Sequence, residues 1–419
     1  MRGEINMSKT MILQEAPNTE YLEFNFVGDS ATGKGLNTQF VMENLHNGLF
    51  QVIDGRVGIK VGPNKPKKYT LSMEKWDMTY SMKISRGYIL TKQEKGEERE
   101  IVVNAYDPIQ DPDVASIVKE LMDFANAVIE ENYTTKVSDI SEEMVIFASG
   151  ILKDLSERKD TISVAEFNNK LKLLFAAIPR RIDNLSKILA KRKADYNDIL
   201  VNEQELLDIL NASRSTLHSA AHRTILDEKE LRWRTVTPEE EKEIKKMLGG
   251  NARQYYKAWA ITNGKTQKAF DDFCRKEKLH GPNDISLLFH GSRSENWWSI
   301  VTNGLNVNPI GVVITGKMFG NGTYFAPKAK KSMGYTSGRN AYWTGGSQDV
   351  GFMAIYQVAT GKRYIREHSE PDLNWNLLQQ RCPGAHCTWA VAGASLLNDE
   401  VIVYQNQQST IKYLIEFNA

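Results

Sequence analysis

The spacing of apolar residues changes twice along this chain of 419 residues, and the changes divide the sequence into three regions. From about residue 21 to residue 103 the spacing is that of short strands, with period-two alternation at 21–26 and an apolar run at 48–53. From about residue 113 to residue 250 apolar residues recur every three or four positions, which aligns them on one helix face. After about residue 252, short β-branched runs return among glycines and aromatics. Because one core rarely supports so long a chain, we expect two or three domains.

Local signals indicate the elements of each region. In the first region, residues 37–45 are a strand candidate, Asp54-Gly55 predicts a turn, and the spacing from residue 76 to 84 is helical. In the second, Ser163 and Glu166 have the spacing at which each side chain can cap the other's backbone amide, and short connections between amphipathic helices predict a bundle. The third region lacks strand–helix alternation and a Gly-x-Gly-x-x-Gly turn, which favours a mostly antiparallel α+β domain over a Rossmann fold.

Composition limits the compartment and the possible metal sites. A net charge of +1 neither favours nor excludes a nucleic-acid partner, because charge balance averages over surfaces. Three cysteines, Cys274, Cys382 and Cys387, suggest reduced intracellular thiols rather than a disulfide framework. His386 lies between two of these thiols, but three ligands do not close a tetrahedral zinc site, so we expect no metal.

No apolar run reaches the ~18–20 residues that a membrane helix needs, and the start lacks an apolar signal core. We therefore expect a soluble intracellular protein with no membrane partner.

Polar residues lie at the ends of apolar runs in four segments of the third region. Taken alone, a histidine at such a position is often structural, and a Gly-Asn-Gly run is often a plain turn. Together, in this order and spacing, the segments resemble the His-Tyr-Glu signature of the poly(ADP-ribose) polymerase family, over about residues 287–417. The residues that carry the resemblance are His290, Gly291, Ser292, Tyr324, Lys331, Ser332, Tyr335 and Glu400.

The resemblance implies that the chain uses NAD+ as a substrate and needs no metal. His290, helped by Ser292, would hydrogen-bond the adenosine ribose. The Gly291 backbone would hold the nicotinamide carboxamide, which suits a residue that the ligand must approach closely. The Ser332 hydroxyl would bind the same amide, and the rings of Tyr335 and Tyr324 would enclose the nicotinamide. Residues 303–319 match the family's donor loop, with a body at 309–313 that differs from better-known members.

Glu400 is the residue on which the expected catalysis depends. Cleavage of the nicotinamide–ribose bond develops oxocarbenium character, which a carboxylate on the ribose hydroxyl can stabilise. In the family this glutamate also activates the hydroxyl of a preceding ADP-ribose, so its presence favours polymer formation. Lys331 either lies close to the pyrophosphate and the nicotinamide ribose, as the resemblance implies, or is a solvated surface lysine.

The first region resembles the WGR domain of DNA-damage-responsive polymerases, through the run at 54–58. The tryptophan of that motif contacts DNA ends in the family, and here its position holds Asp54, whose carboxylate repels phosphate. Basic residues nearby remain candidates for phosphate contacts, although basic loops are often only solvated. These nucleic-acid-binding candidates are Arg56, Lys60, Lys67 and Lys68.

The helical middle resembles the regulatory bundle that packs on the family's catalytic domain and blocks NAD+ until an activator loosens it. We therefore expect a small antiparallel sheet domain at 1–106, an all-α bundle at 107–235 and an ADP-ribosyltransferase domain at 236–419. The expected function is transfer of ADP-ribose to itself and other proteins, activated by DNA ends or nicks. Alternatives are mono-ADP-ribosylation of a protein or a nucleic-acid end, and a catalytically silent NAD or DNA-binding scaffold. The compartment would be the nucleus in a eukaryote, and the cytoplasm or nucleoid in a bacterial or viral setting.

Overall fold

The computed structural model of the chain describes residues 19–29, 35–57, 65–95, 106–214, 223–307, 318–339 and 341–419. The chain divides into two compact units. The first unit comprises Met1–Val103 and Val128–Leu207, and the second comprises Asn104–Ala127 and Asp208–Ala419.

The first unit contains a five-stranded antiparallel sheet in the order β4-β3-β2-β1-β5. Its strands and its helix are β1 Thr19–Asp29, β2 Gly35–Asn44, β3 Leu49–Arg56, β4 Lys67–Ser72, α1 Trp76–Ser85 and β5 Ile89–Lys95. Alternate residues of each strand face the helix and form a core in which Phe50 meets the Trp76 ring edge-on at 5.1 Å. The predicted strands and helix are confirmed. The predicted turn at Asp54-Gly55 is wrong, because both residues pair with β2 on one side and Asp54 also pairs with β4 on the other.

The helical region begins and ends within the second unit, while its middle belongs to the first. Its helices are α2 Pro112–Asn132, α3 Glu142–Arg158, α4 Val164–Ala177, α5 Leu185–Ile188 and α6 Tyr196–Ser213. Ser163 caps α4 as predicted, since its hydroxyl accepts the Glu166 amide at 3.2 Å. The predicted reciprocal bond is not made, because the Glu166 carboxylate instead accepts from Arg158 at 2.5 Å.

The second unit continues with the remaining helices and strands. These are α7 Ile225–Glu228, β6 Leu231–Thr235, α8 Pro238–Leu248, β7 Tyr255–Asn263, α9 Gly264–Glu277, β8 Ile285–Gly291, α10 Trp297–Asn303, β9 Thr323–Phe325, α11 Ala329–Met333, β10 Val350–Ala359, β11 Arg363–Arg366, α12 Trp375–Arg381, β12 Cys387–Ala390, β13 Glu400–Val403 and β14 Ser409–Asn418.

Two sheets organise the second unit. One has five antiparallel strands in the order β6-β7-β14-β10-β8, and the other has four in the order β11-β12-β13-β9, of which only β11 and β12 are parallel. Reciprocal backbone hydrogen bonds of 2.8 Å between Phe289 and Ala326 join the two sheets beside the end of β8. The structure confirms the mostly antiparallel α+β class that the sequence predicted.

The start of the helical region packs on the first of these sheets within the second unit. The Phe124 ring of α2 meets Phe352 of β10 edge-on at 6.3 Å, and the Asp113 carboxylate pairs with Lys257 of β7 at 2.8 Å. Residues 231–235, which the sequence assigned to the helical region, form the edge strand β6 of this sheet. The division into three domains stays a prediction.

The cysteines and the histidine that suggested a metal site make other contacts. The Cys387 thiol points at the Thr360 carbonyl at 3.3 Å, and His386 Nδ1 accepts the Lys362 amide at 3.2 Å. All three cysteines are free thiols, and burial raises the pKa of Cys274 to about 11. Within the described ranges, no group of His, Cys, Asp and Glu side chains is arranged to hold a metal ion. None of the helices in those ranges is long and apolar enough to cross a membrane.

Candidate active site and candidate nucleic-acid surface

His290 stands near the end of β8, beside the backbone bridge that joins the two sheets. Its Nδ1 lies 2.9 Å from the Tyr324 carbonyl oxygen. Because a carbonyl oxygen only accepts, Nδ1 carries a proton and donates it to this hydrogen bond. The imidazole is surrounded by the rings of Trp297, Phe325 and Tyr356, with centroids 5.7–6.5 Å away. Packing and one hydrogen bond thus fix both its orientation and its tautomer.

α11 packs against the end of β8 at Gly291. A Cβ atom at Gly291 would lie 1.9 Å from the Ser332 carbonyl oxygen, so only glycine fits this contact. Ser332 is itself buried. The fold therefore places next to each other the two residues that the sequence assigned to the nicotinamide carboxamide, although 41 positions separate them in the chain.

Ser292 begins the turn from β8 into α10. Its hydroxyl accepts from the Asn296 side-chain amide at 3.1 Å, and its carbonyl accepts from the Trp297 indole N–H at 3.2 Å. These bonds hold the serine next to His290, with its hydroxyl hydrogen still able to turn toward another acceptor.

Tyr324 forms the middle of the short strand β9, and its hydroxyl fastens the preceding turn. The hydroxyl accepts the Phe319 amide at 3.0 Å and donates to the Gly320 carbonyl at 3.0 Å. Gly320 has φ +77°, and a Cβ there would lie 1.9 Å from the Leu373 carbonyl oxygen. Burial raises the pKa of the Tyr324 hydroxyl, and the nearby charge of Glu400 adds to the rise.

Glu400 is the first residue of β13 and only 7% exposed. Since Val401 pairs with Phe325, continuing the register sets Glu400 opposite Ala326, at the same bridge that holds β8. The Lys331 ammonium pairs with the Glu400 carboxylate at 2.5 Å and also reaches the Asn398 carbonyl at 3.4 Å. Both side chains are nearly buried, so Lys331 is not a solvated surface lysine.

Tyr335 follows α11 and completes the group. Burial raises the pKa of its hydroxyl to about 12, and the negative charge of Glu400 contributes to the rise. The Tyr335 amide donates to the Ser332 carbonyl at 3.1 Å, which fastens this residue to the turn that covers Gly291. The structure therefore brings together all eight site residues predicted in the third region. Residues 308–317, which include the body of the predicted donor loop, lie outside the described residues.

The sequence offered no sign of Trp343, whose indole stacks on the Tyr335 ring with centroids 6.0 Å apart and an interplanar angle of 16°. It also gave no sign of Tyr356, which is fully buried against His290. An aromatic residue in a loop and another inside an apolar strand resemble many others, so only the three-dimensional arrangement singles them out.

In the first unit, Asp54 has a specific partner. It continues the core face of β3 after Phe50 and Val52, and its carboxylate pairs with the buried ammonium of Lys83 at 3.4 Å. That ammonium also lies 3.5 Å from the centroid of the Phe40 ring. Burial lowers the pKa of Lys83, while the Asp54 charge opposes the shift. The Asp54 charge is thus partly neutralised within the fold, which weakens the repulsion of phosphate expected from the sequence.

The other candidates for phosphate contact are distributed over this sheet. Arg56 is exposed at the end of β3, and Lys67 is exposed directly opposite Asp54 on β4, on the same face. Lys68 is exposed on the opposite face of the sheet. Lys60 lies outside the described residues.

Comparison with known proteins supports the assignment of the second unit. Residues 239–392 match the family model of the poly(ADP-ribose) polymerase catalytic domain. The match includes every predicted site residue from His290 to Tyr335 and ends before Glu400. It is the pairing of β13 with β9, and not this match, that places Glu400 beside the other site residues.

The similar proteins include one shorter protein and several much longer ones. The chain is 31% identical over 166 residues to a poly [ADP-ribose] polymerase-like protein, 100L, of Invertebrate iridescent virus 6, which covers 38% of this chain and 84% of that protein. It is 26% identical over 278 residues to poly [ADP-ribose] polymerase 1 of Oryza sativa subsp. japonica, covering 60% of this chain and 28% of the relative. It is 30% identical over 152 residues to poly [ADP-ribose] polymerase 1 of Danio rerio, covering 31% of this chain and 14% of the relative. The chain thus spans only a small part of the two longer relatives. On these matches and this geometry, the chain belongs to the poly(ADP-ribose) polymerase family of NAD+ ADP-ribosyltransferases.

Proposed function

We propose that this chain cleaves the nicotinamide–ribose bond of NAD+ and transfers ADP-ribose to proteins, itself included, to form poly(ADP-ribose). We further propose that DNA ends or nicks activate it. The observation that carries the proposal is the buried Glu400 carboxylate, held by Lys331 at 2.5 Å beside the bridge between the two sheets, where His290 bonds to the Tyr324 carbonyl.

The nicotinamide end of the substrate would lie between the two phenol rings of the pocket. Tyr324 would form one wall and Tyr335 the other, because a flat cationic pyridinium ring gains from aromatic faces. The Gly291 backbone would bind the carboxamide, and the Ser332 hydroxyl would reach the same amide from α11. The close contact between Gly291 and Ser332 supports this assignment, since it puts both groups at one end of the pocket.

His290 would bind the adenosine ribose. Its Nδ1 donates to the Tyr324 carbonyl, so Nε2 is the ring nitrogen that would face a sugar hydroxyl. Ser292 lies next in the chain and would add a second polar contact to the same sugar. Because the ring is packed on three sides, little ordering entropy remains to be lost on binding.

Glu400 would act on the other ribose. As the bond to nicotinamide breaks, positive charge develops on the sugar, and a carboxylate bound to its hydroxyl stabilises that charge more in the transition state than in the ground state. The ammonium of Lys331 fixes the carboxylate in place and would lie near the substrate's pyrophosphate. Nicotinamide leaves with the bonding electrons, and the acceptor nucleophile forms the new bond to the same carbon.

Two observations support regulation by the rest of the chain. Within the second unit, Phe124 and Asp113 of α2 contact the catalytic sheet, and the Trp298 indole donates to the Ala212 carbonyl of α6 at 3.2 Å. An activator that favours a loosened arrangement of these helices would shift the population toward a competent site. In the first unit, exposed Arg56 and Lys67 on one sheet face support binding of a DNA end.

Incubation with labelled NAD+, with and without nicked DNA, followed by gel electrophoresis, tests the proposal. A protein-linked smear that grows with DNA supports it, and Glu400→Gln serves as the matched control with the charge removed. One sharp band would indicate mono-ADP-ribosylation, label that is removed by nuclease would indicate a nucleic-acid acceptor, and no label would indicate a silent scaffold. Equal labelling with and without DNA would refute the activation.

Deletion of residues 113–223, which stops before β6, tests the regulatory part. We expect higher basal turnover without DNA. Because the deletion uncovers Phe352, a second variant, Phe124→Ala, loosens the same contact with the chain intact. Basal turnover that stays at the wild-type level in both variants would remove the case for autoinhibition.

A further inference from the structure

The segment 341–345 covers Tyr335 and holds it from both sides. The Trp343 amide donates to the Gly334 carbonyl at 3.0 Å, and the Thr344 hydroxyl donates to the Thr336 carbonyl at 2.5 Å. These two bonds fasten the residues immediately before and after Tyr335. A third bond, from the Gly345 amide to the Ala341 carbonyl at 3.0 Å, closes the turn that carries the indole.

The side chain of Trp343 also contacts Tyr335, through the two rings. The indole lies nearly parallel to the Tyr335 phenol, at 16° and 6.0 Å, which is the offset stack that aromatic pairs prefer. Its Cδ1 atom would be 3.1 Å from a Cβ at Gly334, so the indole also lies tightly against the backbone next to the tyrosine. Tyr335 therefore has one contact surface supplied by the protein itself.

Trp343 remains 62% exposed, and its neighbour Tyr342 is 81% exposed. Large aromatic side chains usually bury most of their area, because burial of apolar surface is what stabilises them. The contacts of this exposed indole include the Tyr335 ring and the Gly334 backbone, which points to a local role at Tyr335. Tyr342 meets the indole edge-on at 4.8 Å and is not among the rings stacked on Tyr335, so the two adjacent aromatics differ in this contact.

We propose that Trp343 is a positioning residue for Tyr335, which backs the phenol so that its ring stays in the orientation that receives nicotinamide. This rests on the proposed function. Without the indole, Tyr335, itself 38% exposed, would sample other rotamers, and binding would have to select one of them. The part of the ligand affected is nicotinamide alone, since ADP-ribose lacks the pyridine ring.

The test measures equilibrium binding of nicotinamide and of ADP-ribose to the full chain and to three variants. We expect Trp343→Ala to weaken nicotinamide binding about threefold to tenfold, the scale of one lost aromatic pair, with ADP-ribose binding unchanged. Trp343→Phe, which retains a stacking ring, should recover most of the affinity. Tyr342→Ala, which removes the adjacent exposed ring, should bind both ligands like the wild type.

Kinetics with NAD+ add a readout that general destabilisation would not mimic. Trp343→Ala should raise KM for NAD+ and weaken product inhibition by nicotinamide in parallel, and Trp343→Phe should reverse both. Unchanged nicotinamide binding in Trp343→Ala, equal losses for both ligands, or no recovery in Trp343→Phe would each overturn the inference. If the wild type itself neither binds nicotinamide nor turns over NAD+, the proposed function fails instead.

Discussion

Substitution of Glu400 by glutamine separates the catalytic role of this residue from its structural role. The glutamine keeps the shape and one acceptor oxygen but removes the charge. Removing one electrostatic partner of a transition state typically lowers kcat by about 10²–10³, or about 2.7–4 kcal/mol. We expect a loss of this size, with NAD+ binding retained, because His290, Gly291, Ser332 and the two tyrosines are unaltered.

The substitution should also lower stability, because Lys331 loses its partner. Both side chains are nearly buried at a separation of 2.5 Å, and the ammonium would keep only the Asn398 carbonyl at 3.4 Å. Breaking a buried ion pair costs about 3–5 kcal/mol. Since glutamine still offers an oxygen, we expect about 3 kcal/mol, at the lower end of that range.

A double-mutant cycle with Lys331→Met distinguishes the two effects. Each single variant leaves one buried charge unpaired and should be destabilised, whereas the double variant leaves none and should recover most of the free energy of unfolding. Turnover should not recover, because the carboxylate is still missing. Urea unfolding gives the stabilities, release of labelled nicotinamide gives kcat, and ADP-ribose binding checks the pocket.

Two results would refute this reasoning. Full turnover of Glu400→Gln would show that the carboxylate does not act on the transition state. Recovery of turnover in the double variant would show that the single substitution acted by misplacing Lys331, in which case the catalytic role belongs to the geometry of the pocket rather than to Glu400.

Three further predictions concern the same unit. His290→Ala should weaken NAD+ binding, and an unaltered dissociation constant in a titration would leave the histidine a structural role only. Gly291→Ala should lower both stability and NAD+ binding, because its Cβ would lie 1.9 Å from the Ser332 carbonyl; circular dichroism melting checks the first and titration the second. Burial, together with the charge of Glu120, raises the pKa of Glu416 to about 7, so its proton stabilises the fold fully below about pH 4.5 and less as pH rises through 7. Glu416→Gln should therefore gain stability over the wild type at pH 8, by about 1 kcal/mol after allowance for solvent screening, and not at pH 4; equal differences at both pH values would contradict this.

Much of the fold was predictable where a local signal determines local structure. In α2 to α4 apolar residues recur every three or four positions, and in β1 they alternate. These patterns predict helices and a strand directly, because burying one face of an element dictates which positions are apolar. Asp54-Gly55 shows the limit of such signals. The dipeptide favours a turn in isolation, but hydrogen bonds to strands on both sides keep it extended.

The sequence identified the site residues by their type and order, but it did not identify the residues that they contact. Lys331 is indistinguishable in sequence from the neighbouring Lys328 and Lys330, both of which are exposed. Only the meeting of α11 with β13 selects Lys331 for Glu400. In the same way, nothing next to Asp54 in the chain indicates that Lys83, from a helix 29 residues later, supplies its counter-charge.

The sequence by itself determined most of the element types, the family and the candidate residues for NAD+ binding, since each depends on residue chemistry and short-range spacing. The tertiary structure decided which of those residues meet. It fixed the tautomer of His290 through the Tyr324 carbonyl, paired Glu400 with Lys331, and set Trp343 against Tyr335. These contacts join strands, helices and loops that are far apart in the chain. They arise from the register of the sheets and the packing of helices on them, which no single segment specifies alone.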